Sequence, residues 1–476
     1  MDLTARLRSI VRPNGGGAPV RELTYEPDTG RYEATVDLDR VADVLGGQVV
    51  TNTFGRTLIV DRRYESDRVH GTRRVGECEL PDGETLRLLD PTLPVAPSDA
   101  GPRRGVEGSP DEAGSRTLFI DLETTGLSGG AGTVAFLVGC GWFDLGAFQI
   151  RQFLLTSYAS ERALLSAVAD CFDATSLLVT YNGKTFDVPV METRWLFHRM
   201  PLPLESVRHF DMLHPARRLW RARDGSVQGD RDEGGCRLST LERVLCEVRR
   251  VGDIPGMDIP GRYFQFLRSG DARPLEPVLE HNRLDLISLA AVTAHAVELV
   301  EKGGAHCRDA AEALALGKVY ERAGRTDRAL DVYERAAGDA SAPVDVRAEA
   351  IYRLGVRLRR DRRYVEAAAC WRRLLELKPR RARVRHGAAD PDAMLAALHQ
   401  YAVEALAIHH EHRERDYEGA KELTLQLLEE LEDDDVRLKT EAARARTLDR
   451  KAAATRHRMA RLDRKLSRNN DSHLFT

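Results

Sequence analysis

Little in the chain points out of the cell or into a membrane. Seven cysteines, at positions 78, 140, 171, 236, 246, 307 and 370, are scattered through 476 residues without a Cys-x-x-Cys pair. An odd, dispersed set indicates neither a disulfide framework nor a structural zinc site, and fits a reducing compartment. The opening Met-Asp-Leu-Thr-Ala-Arg-Leu-Arg lacks the apolar core of a signal peptide. The longest apolar run, from Val134 to Phe143, is about half the length a membrane span requires. One-signed charge is lacking too: the formal net charge is -3, so any attraction to a polyanion must come from local patches. The expectation is a soluble, cytoplasmic protein with no membrane partner.

At this length two to four domains are expected. Residues 1–100 alternate apolar and polar in short runs, such as Tyr32–Asp37 and Thr57–Asp61, with one helical patch near Val41–Leu45. They read as a small strand-containing region with no motif. Residues 101–114 have linker composition. From residue 115 to 303 strands alternate with helices: three strands with short connections, suited to antiparallel pairing, then a helix from Ser160, a strand ending at Tyr181, and helices at Met191–Met200, from Leu238, and over Val278–Leu299. That alternation is an α/β layer, with polar residues gathered at the strand ends.

Everything after Cys307 reads helical, with an internal repeat over 304–430 and a charged helical tail over 431–476. Leu316-Gly-Lys-Val-Tyr with Ala329-Leu-Asp-Val-Tyr333 recurs 38 residues later as Leu354-Gly-Val-Arg-Leu with Ala367-Ala-Ala-Cys-Trp371, and more weakly near Ala405 and Tyr417–Ala420. Small residues let paired helices approach while aromatics fill the gaps, and Pro379 closes the second unit. The pattern resembles the tetratricopeptide repeat, which implies an all-α repeat domain able to bind substrate or a protein partner.

The chemistry centres on Leu118-Phe-Ile-Asp121-Leu-Glu123-Thr-Thr-Gly126. Alternate positions on a strand share a face, so Asp121 and Glu123 project together. Like charges so placed repel unless a cation lies between them. The alternative for the pair alone is a solvated strand end with two exposed acids, and the glycines at 129, 130 and 132 are explained by a turn as readily as by close approach of a substrate. Further acids lie downstream. Asp187 ends Asn182-Gly-Lys-Thr-Phe-Asp at a strand-to-helix turn. His281 and Asp285, four apart, share a face of the long helix. Asp211 lies in the apolar His209-Phe-Asp-Met-Leu.

The order of these motifs resembles the DEDD exonucleases of the ribonuclease-H-like superfamily, and among them the YprB-like group, in which such a domain often stands beside tetratricopeptide repeats. The resemblance spans about residues 115–300 and the repeats; it leaves residues 1–100 unexplained. It implies an α/β ribonuclease-H-like domain whose Asp121, Glu123, Asp187 and Asp285 bind two divalent ions, Mg²⁺ or Mn²⁺, and hydrolyse nucleic acid. All-carboxylate donors suit hard cations better than zinc, and two such ions can stabilise both the attacking and the leaving oxygen. His281 is the expected base or orienter of water, imidazole being the side chain that titrates near neutrality. Its spacing departs from the family: the histidine subtype carries its histidine five residues before the last Asp, the tyrosine subtype its tyrosine four before, and this chain has histidine at the tyrosine spacing. Thr124, Tyr181, Asn182 and Lys184 are candidate substrate contacts. Asp211 and Asn282 are expected to stand behind the ligands.

Two basic stretches are candidate phosphate surfaces: thirteen Lys/Arg against three acids between Arg353 and Arg385, and twelve against three between Arg437 and Arg468. Salt bridges lacing neighbouring helices would account for them equally. The expected function is a metal-dependent exonuclease acting from the 3′ end of a single strand, DNA before RNA. The alternatives are a repeat scaffold or nucleic-acid-binding protein carrying an inactive ribonuclease-H-like domain, and a structure-specific endonuclease of the same superfamily.

Overall fold

A computed structural model describes residues 37–80, 85–95, 116–126, 132–205, 207–221, 236–378, 391–437 and 442–473. Helix α1 (Leu38–Leu45), capped by the Asp37 carboxylate accepting from the Arg40 amide, leads into the hairpin β1 (Gln48–Asn52) and β2 (Gly55–Tyr64). A two-stranded ribbon, β3 (Val69–His70) and β4 (Arg73–Arg74), follows. Next come β5 (Arg116–Thr124), β6 (Ala135–Asp144) and β7 (Ala147–Leu154), an antiparallel meander. Between β6 and β7, Leu145 and Gly146 both take positive φ, the two-residue turn that matches the twist of a hairpin.

Helix α2 (Glu161–Ala169) returns the chain to β8 (Thr175–Thr180), which pairs parallel with β5. Helix α3 (Asp187–Phe197) leads to β9 (Arg208–Asp211), parallel to β8. Short helices α4 (Leu213–Trp220), α5 (Leu238–Leu245) and α6 (Ile259–Ser269) precede the long α7 (Glu276–Lys302). The seven-stranded mixed sheet runs β1-β2-β7-β6-β5-β8-β9. The N-terminal strands therefore extend this sheet, β2 pairing with β7 from Leu58 to Tyr64. Their pattern marks them as strands, but their partner lies some ninety residues on, and periodicity carries no information about such a pairing.

Alternation along β5 decides what each face meets. Leu118, Ile120 and Leu122 join Leu164, Val168, Met191 and Trp195 in one apolar cluster. Phe119 points the other way, with Phe148, Leu177 and the Leu286–Val300 stretch of α7. Asp121 and Glu123 share the Phe119 face by the two-residue period, so α7 passes over the carboxylates.

The rest is helical hairpins: α8 (Ala310–Arg322) with α9 (Thr326–Gly338), α10 (Val344–Arg360) with α11 (Tyr364–Leu375), and α12 (Pro391–His409) with α13 (Tyr417–Arg437). A last helix, α14 (Ala442–His473), packs on α13. Gly317 faces the Tyr333 ring and Gly355 the Trp371 ring, each pair 38 positions from its counterpart, so the repeat in the sequence is a repeated packing contact. Pro379, expected to close the second unit, lies outside the described residues. The Tyr320 hydroxyl and the Arg328 guanidinium both donate to the Val300 carbonyl at 2.8 Å, and the Trp220 indole donates to Glu312 at 2.7 Å. The first hairpin is thereby fastened to α7 and α4. Among the described residues, no helix is long and apolar enough to cross a membrane.

Candidate metal-dependent active site

Asp121 pairs with Gly139 and Glu123 with Leu137 across the β5–β6 ladder, which is irregular just after Glu123. Thr124 closes the exit from this strand: it is buried and its hydroxyl donates to the Gly126 carbonyl at 2.9 Å. Gly129 and Gly130 lie outside the described residues. Asp187 is the first residue of α3, buried, with its carboxylate held by its own backbone amide and that of Leu122. Asp285 lies one turn beyond His281 on α7.

The loop that delivers Asp187 is organised by Asp211, which is fully buried and accepts from the backbone amides of Asn182 (2.8 Å), Lys184 (3.0 Å) and Leu213 (3.1 Å). Asn182 takes a left-handed φ of 67°, a conformation asparagine tolerates better than most residues, and its side-chain oxygen accepts from Thr185 at 2.6 Å. The Tyr181 hydroxyl donates to the Cys236 carbonyl, and Lys184 reaches Asp90 at 3.2 Å. Thr124, Tyr181, Asn182 and Lys184 thus each have a partner inside the protein. Asp211 makes no use of His209, whose Nε2 faces the Thr180 hydroxyl at 2.8 Å.

On α7, Asn282 is wholly buried beside the first carboxylate. Its Nδ2 donates to Asp121 Oδ2 at 2.8 Å and to the Asp121 carbonyl at 3.1 Å, while its Oδ1 accepts from Gln152 Nε2 at 2.8 Å. His281 Nδ1 lies 2.6 Å from Asp253 Oδ1, leaving Nε2 toward Asp285 at 3.5 Å. Arg250 ties this side together. It donates to Asp285, to Glu242 at 2.6 and 2.8 Å, and to Asp253 at 3.1 Å. Arg250, Asp253, Glu242 and Gln152 went unmarked in the sequence. Arg250 stands among other arginines and acts on Asp285 from 35 residues away, and no local pattern encodes that.

Burial, then the charges of Asp285, Glu123 and Asp187, hold the Asp121 carboxyl well above the usual carboxylate range. Burial, then Asp285, Asp187 and Asp253, do the same to Glu123. Asp187 is pushed up to about 7, chiefly by burial, with Asp211 adding and the two backbone amides opposing. These are carboxylates short of countercharge: among the described residues, Arg250 is the one Lys or Arg in contact with any of the four. Their all-oxygen donor set fits hard divalent cations. They are not closed about one point, for no three of them bring ligand atoms within 4.8 Å of one another, as His410, Glu414 and Asp416 do. That second trio is already satisfied, since Asp416 takes the Gly419 amide and His410, and Glu414 lies against His409, His410 and Arg372.

Part of each basic stretch is paired with acids. Arg353, Arg357, Arg363, Arg372 and Arg373 pair with Glu349 and Glu321, Asp361, Glu366, Glu414 and Glu334. On α14, Arg461 and Lys465 converge on the buried Glu411, and Arg458 reaches Glu404. Much of the arginine therefore laces helices. The basic residues at 380–385 and 439 lie outside the described residues.

A family model described as the RNase_H superfamily matches residues 118–297. The chain is 34% identical over 258 residues to "Uncharacterized protein YprB" of Bacillus subtilis (strain 168), an alignment covering 54% of this chain and 59% of that protein. The matched interval contains all four carboxylates and the strands from β5 to β9, while β1 and β2 of the same sheet lie before it. The α/β portion is ribonuclease-H-like, followed by a helical C-terminal region.

Proposed function

We propose that the chain is a metal-dependent nuclease that removes nucleotides from the 3′ end of single-stranded nucleic acid. The observation that carries this reading is the convergence of Asp121, Glu123, Asp187 and Asp285 from β5, α3 and α7, close enough for each of the first two to feel the charge of the others. Mutually repelling buried acids are costly in a protein that has no use for them. These four would hold Mg²⁺ or Mn²⁺, which would supply charge stabilisation at the attacking and leaving oxygens.

The chain's own residues do the rest. Asn282 fixes the direction of Asp121 by holding Oδ2 and the carbonyl together. Asp253 holds Nδ1 of His281, so that Nε2 faces the carboxylates, where it can orient a water molecule or take its proton. Arg250 holds Asp285 in place. The helical hairpins, read as tetratricopeptide-like repeats, offer a surface for a protein partner. In the test, single strands labelled at either end are incubated with the full chain and Mg²⁺ or Mn²⁺. Stepwise shortening of a 5′-labelled strand, lost in Asp121→Ala, and a circular strand left intact are expected. No metal-dependent cleavage would remove the reading; cleavage of the circle would convert it to an endonuclease.

A further inference from the structure

A polyanion approaching four clustered carboxylates is repelled unless cations meet it first. The basic helices belong to the helical region beyond α7 and not to the layer that carries the carboxylates, and several of their arginines already hold acids. The cations that remain free beside the site are elsewhere. A cleft of about 960 Å³ runs along α5 and the segment after it, lined by Thr240, Arg243, Arg249 and Asp253. A second, of about 320 Å³, shares Arg249, Arg250 and Asp253 with the first and continues past Val251 to Pro277 and Leu284 at the start of α7. The two adjoin through these shared residues, and Arg250 and Asp253, which line both, touch Asp285 and His281.

Along this path Arg243 and Arg249 are exposed, and among the described residues neither has an acid partner. Glu247 lies between them on the same wall and takes a left-handed φ of 57°. Apolar side chains stand open on the same segment: Val251 is 95% exposed and Met257 84%, although α6 and α7 beside them bury their own apolar residues. Cations alternating with bare apolar groups are what a single strand needs. Its phosphates seek charge, and its unpaired bases seek apolar surface away from water.

We infer that this cleft is the path of the substrate strand, with Arg243 and Arg249 on its phosphates and Val251 under a base, leading the end of the chain to the carboxylates. The inference rests on the nuclease reading and goes further by assigning a binding track and giving the single-strand preference of that reading a physical cause. A duplex would leave Val251 bare, because its bases face one another.

The test is fluorescence anisotropy of a labelled single-stranded oligonucleotide with the full chain in EDTA, across a salt series. The double variant Arg243→Ala/Arg249→Ala should bind about tenfold more weakly at low salt, with a log–log salt slope lower by about 2. Val251→Asp should weaken binding as well. Arg268→Ala, an exposed charge on α6 away from the cleft, should leave binding as it was. No binding by the native protein, or unchanged affinity and slope in the double variant, overturns the inference. A duplex bound as tightly as the single strand overturns the strand preference. Hydrolysis of bis(p-nitrophenyl) phosphate by the native protein with Mn²⁺ separates the two claims. If it occurs while the double variant binds normally, the cleft is wrong and the nuclease stands. If it is absent while the double variant loses binding, the cleft stands and the nuclease reading fails.

Discussion

Asn282 lies on Gly139, and a β-carbon at that glycine would run into the Asn282 side chain. Gly139 is also the partner of Asp121 in the β5–β6 register, so the missing side chain on β6 is what lets α7 reach the first carboxylate. Gly139→Ala is expected to push Asn282 away from Asp121. Groups that orient a metal ligand are typically worth about 10–100-fold in activity or metal affinity. A loss of that size, with the fold destabilised by about 1–3 kcal/mol, should appear in nuclease assays and urea titrations. Asn282→Ala should lose similar activity. Full activity in both variants would separate Asn282 from the function of Asp121.

Arg250 gives the second prediction. Its side chain is 7% exposed and that of Glu242 2%, so removing the guanidinium strands a buried carboxylate. Arg250→Ala should cost about 3–5 kcal/mol in chemical denaturation. Replacing the pair together, as Arg250→Met with Glu242→Leu, should cost less than the single change, because the most deeply buried of the orphaned charges, that of Glu242, is removed with its partner. Equal losses would mean that packing, and not charge, holds this corner.

These two residues mark where the sequence ceased to be legible. Asp121 and Glu123 share a face because strands have a period of two, and His281 and Asp285 share one because helices have a period of 3.6. Both relationships are written in neighbouring letters. Asp187 is legible for a related reason, standing at the start of a helix after a turn. Arg250 and Asp253 meet α7 through the tertiary fold alone. The arginines of α10 and α11 are half legible: clustered in sequence they suggest a phosphate surface, and the acids that some of them meet arrive from other helices, as Glu334 does for Arg373 and Glu321 for Arg353.

His281 is the residue whose role the spacing left open. With Nδ1 on Asp253 and Nε2 toward Asp285, it is placed to act on water near the carboxylates. His281→Ala should lower kcat by about 10²–10⁴-fold with little change in KM, the range for a lost general base. A change below tenfold would assign the imidazole to holding the Asp253 loop against α7, and unfolding experiments would then register the loss.

The repeat domain is open to a matched test. Gly317 and Gly355 occupy equivalent positions, and a β-carbon at either would meet an aromatic ring, Tyr333 or Trp371. Alanine at each should destabilise by about 1–3 kcal/mol through overpacking, while Gly338→Ala, where a β-carbon meets nothing within 4 Å, should be neutral or mildly stabilising. Thermal melts of the three variants decide it. Equal behaviour of all three would deny that the 38-residue repeat is a repeated packing contact.

Acid should weaken the fold through the buried histidines His70 and His295. His70 and His295 are each lowered to about 4, burial being the main cause, and His70 Nε2 sits 2.9 Å from the Ser288 hydroxyl. Unfolded, each binds a proton near its ordinary pKa of about 6.5; folded, each stays neutral until about pH 4. The unfolded chain therefore holds more protons between these values, so the stability from neutral burial is complete above pH 6.5 and is lost as pH falls toward 4. His70→Gln keeps a polar contact to Ser288 and removes the titration. Its melting temperature should fall less than that of the native protein between pH 7 and pH 5, and an equal fall in both would mean that His70 is protonated within the folded chain.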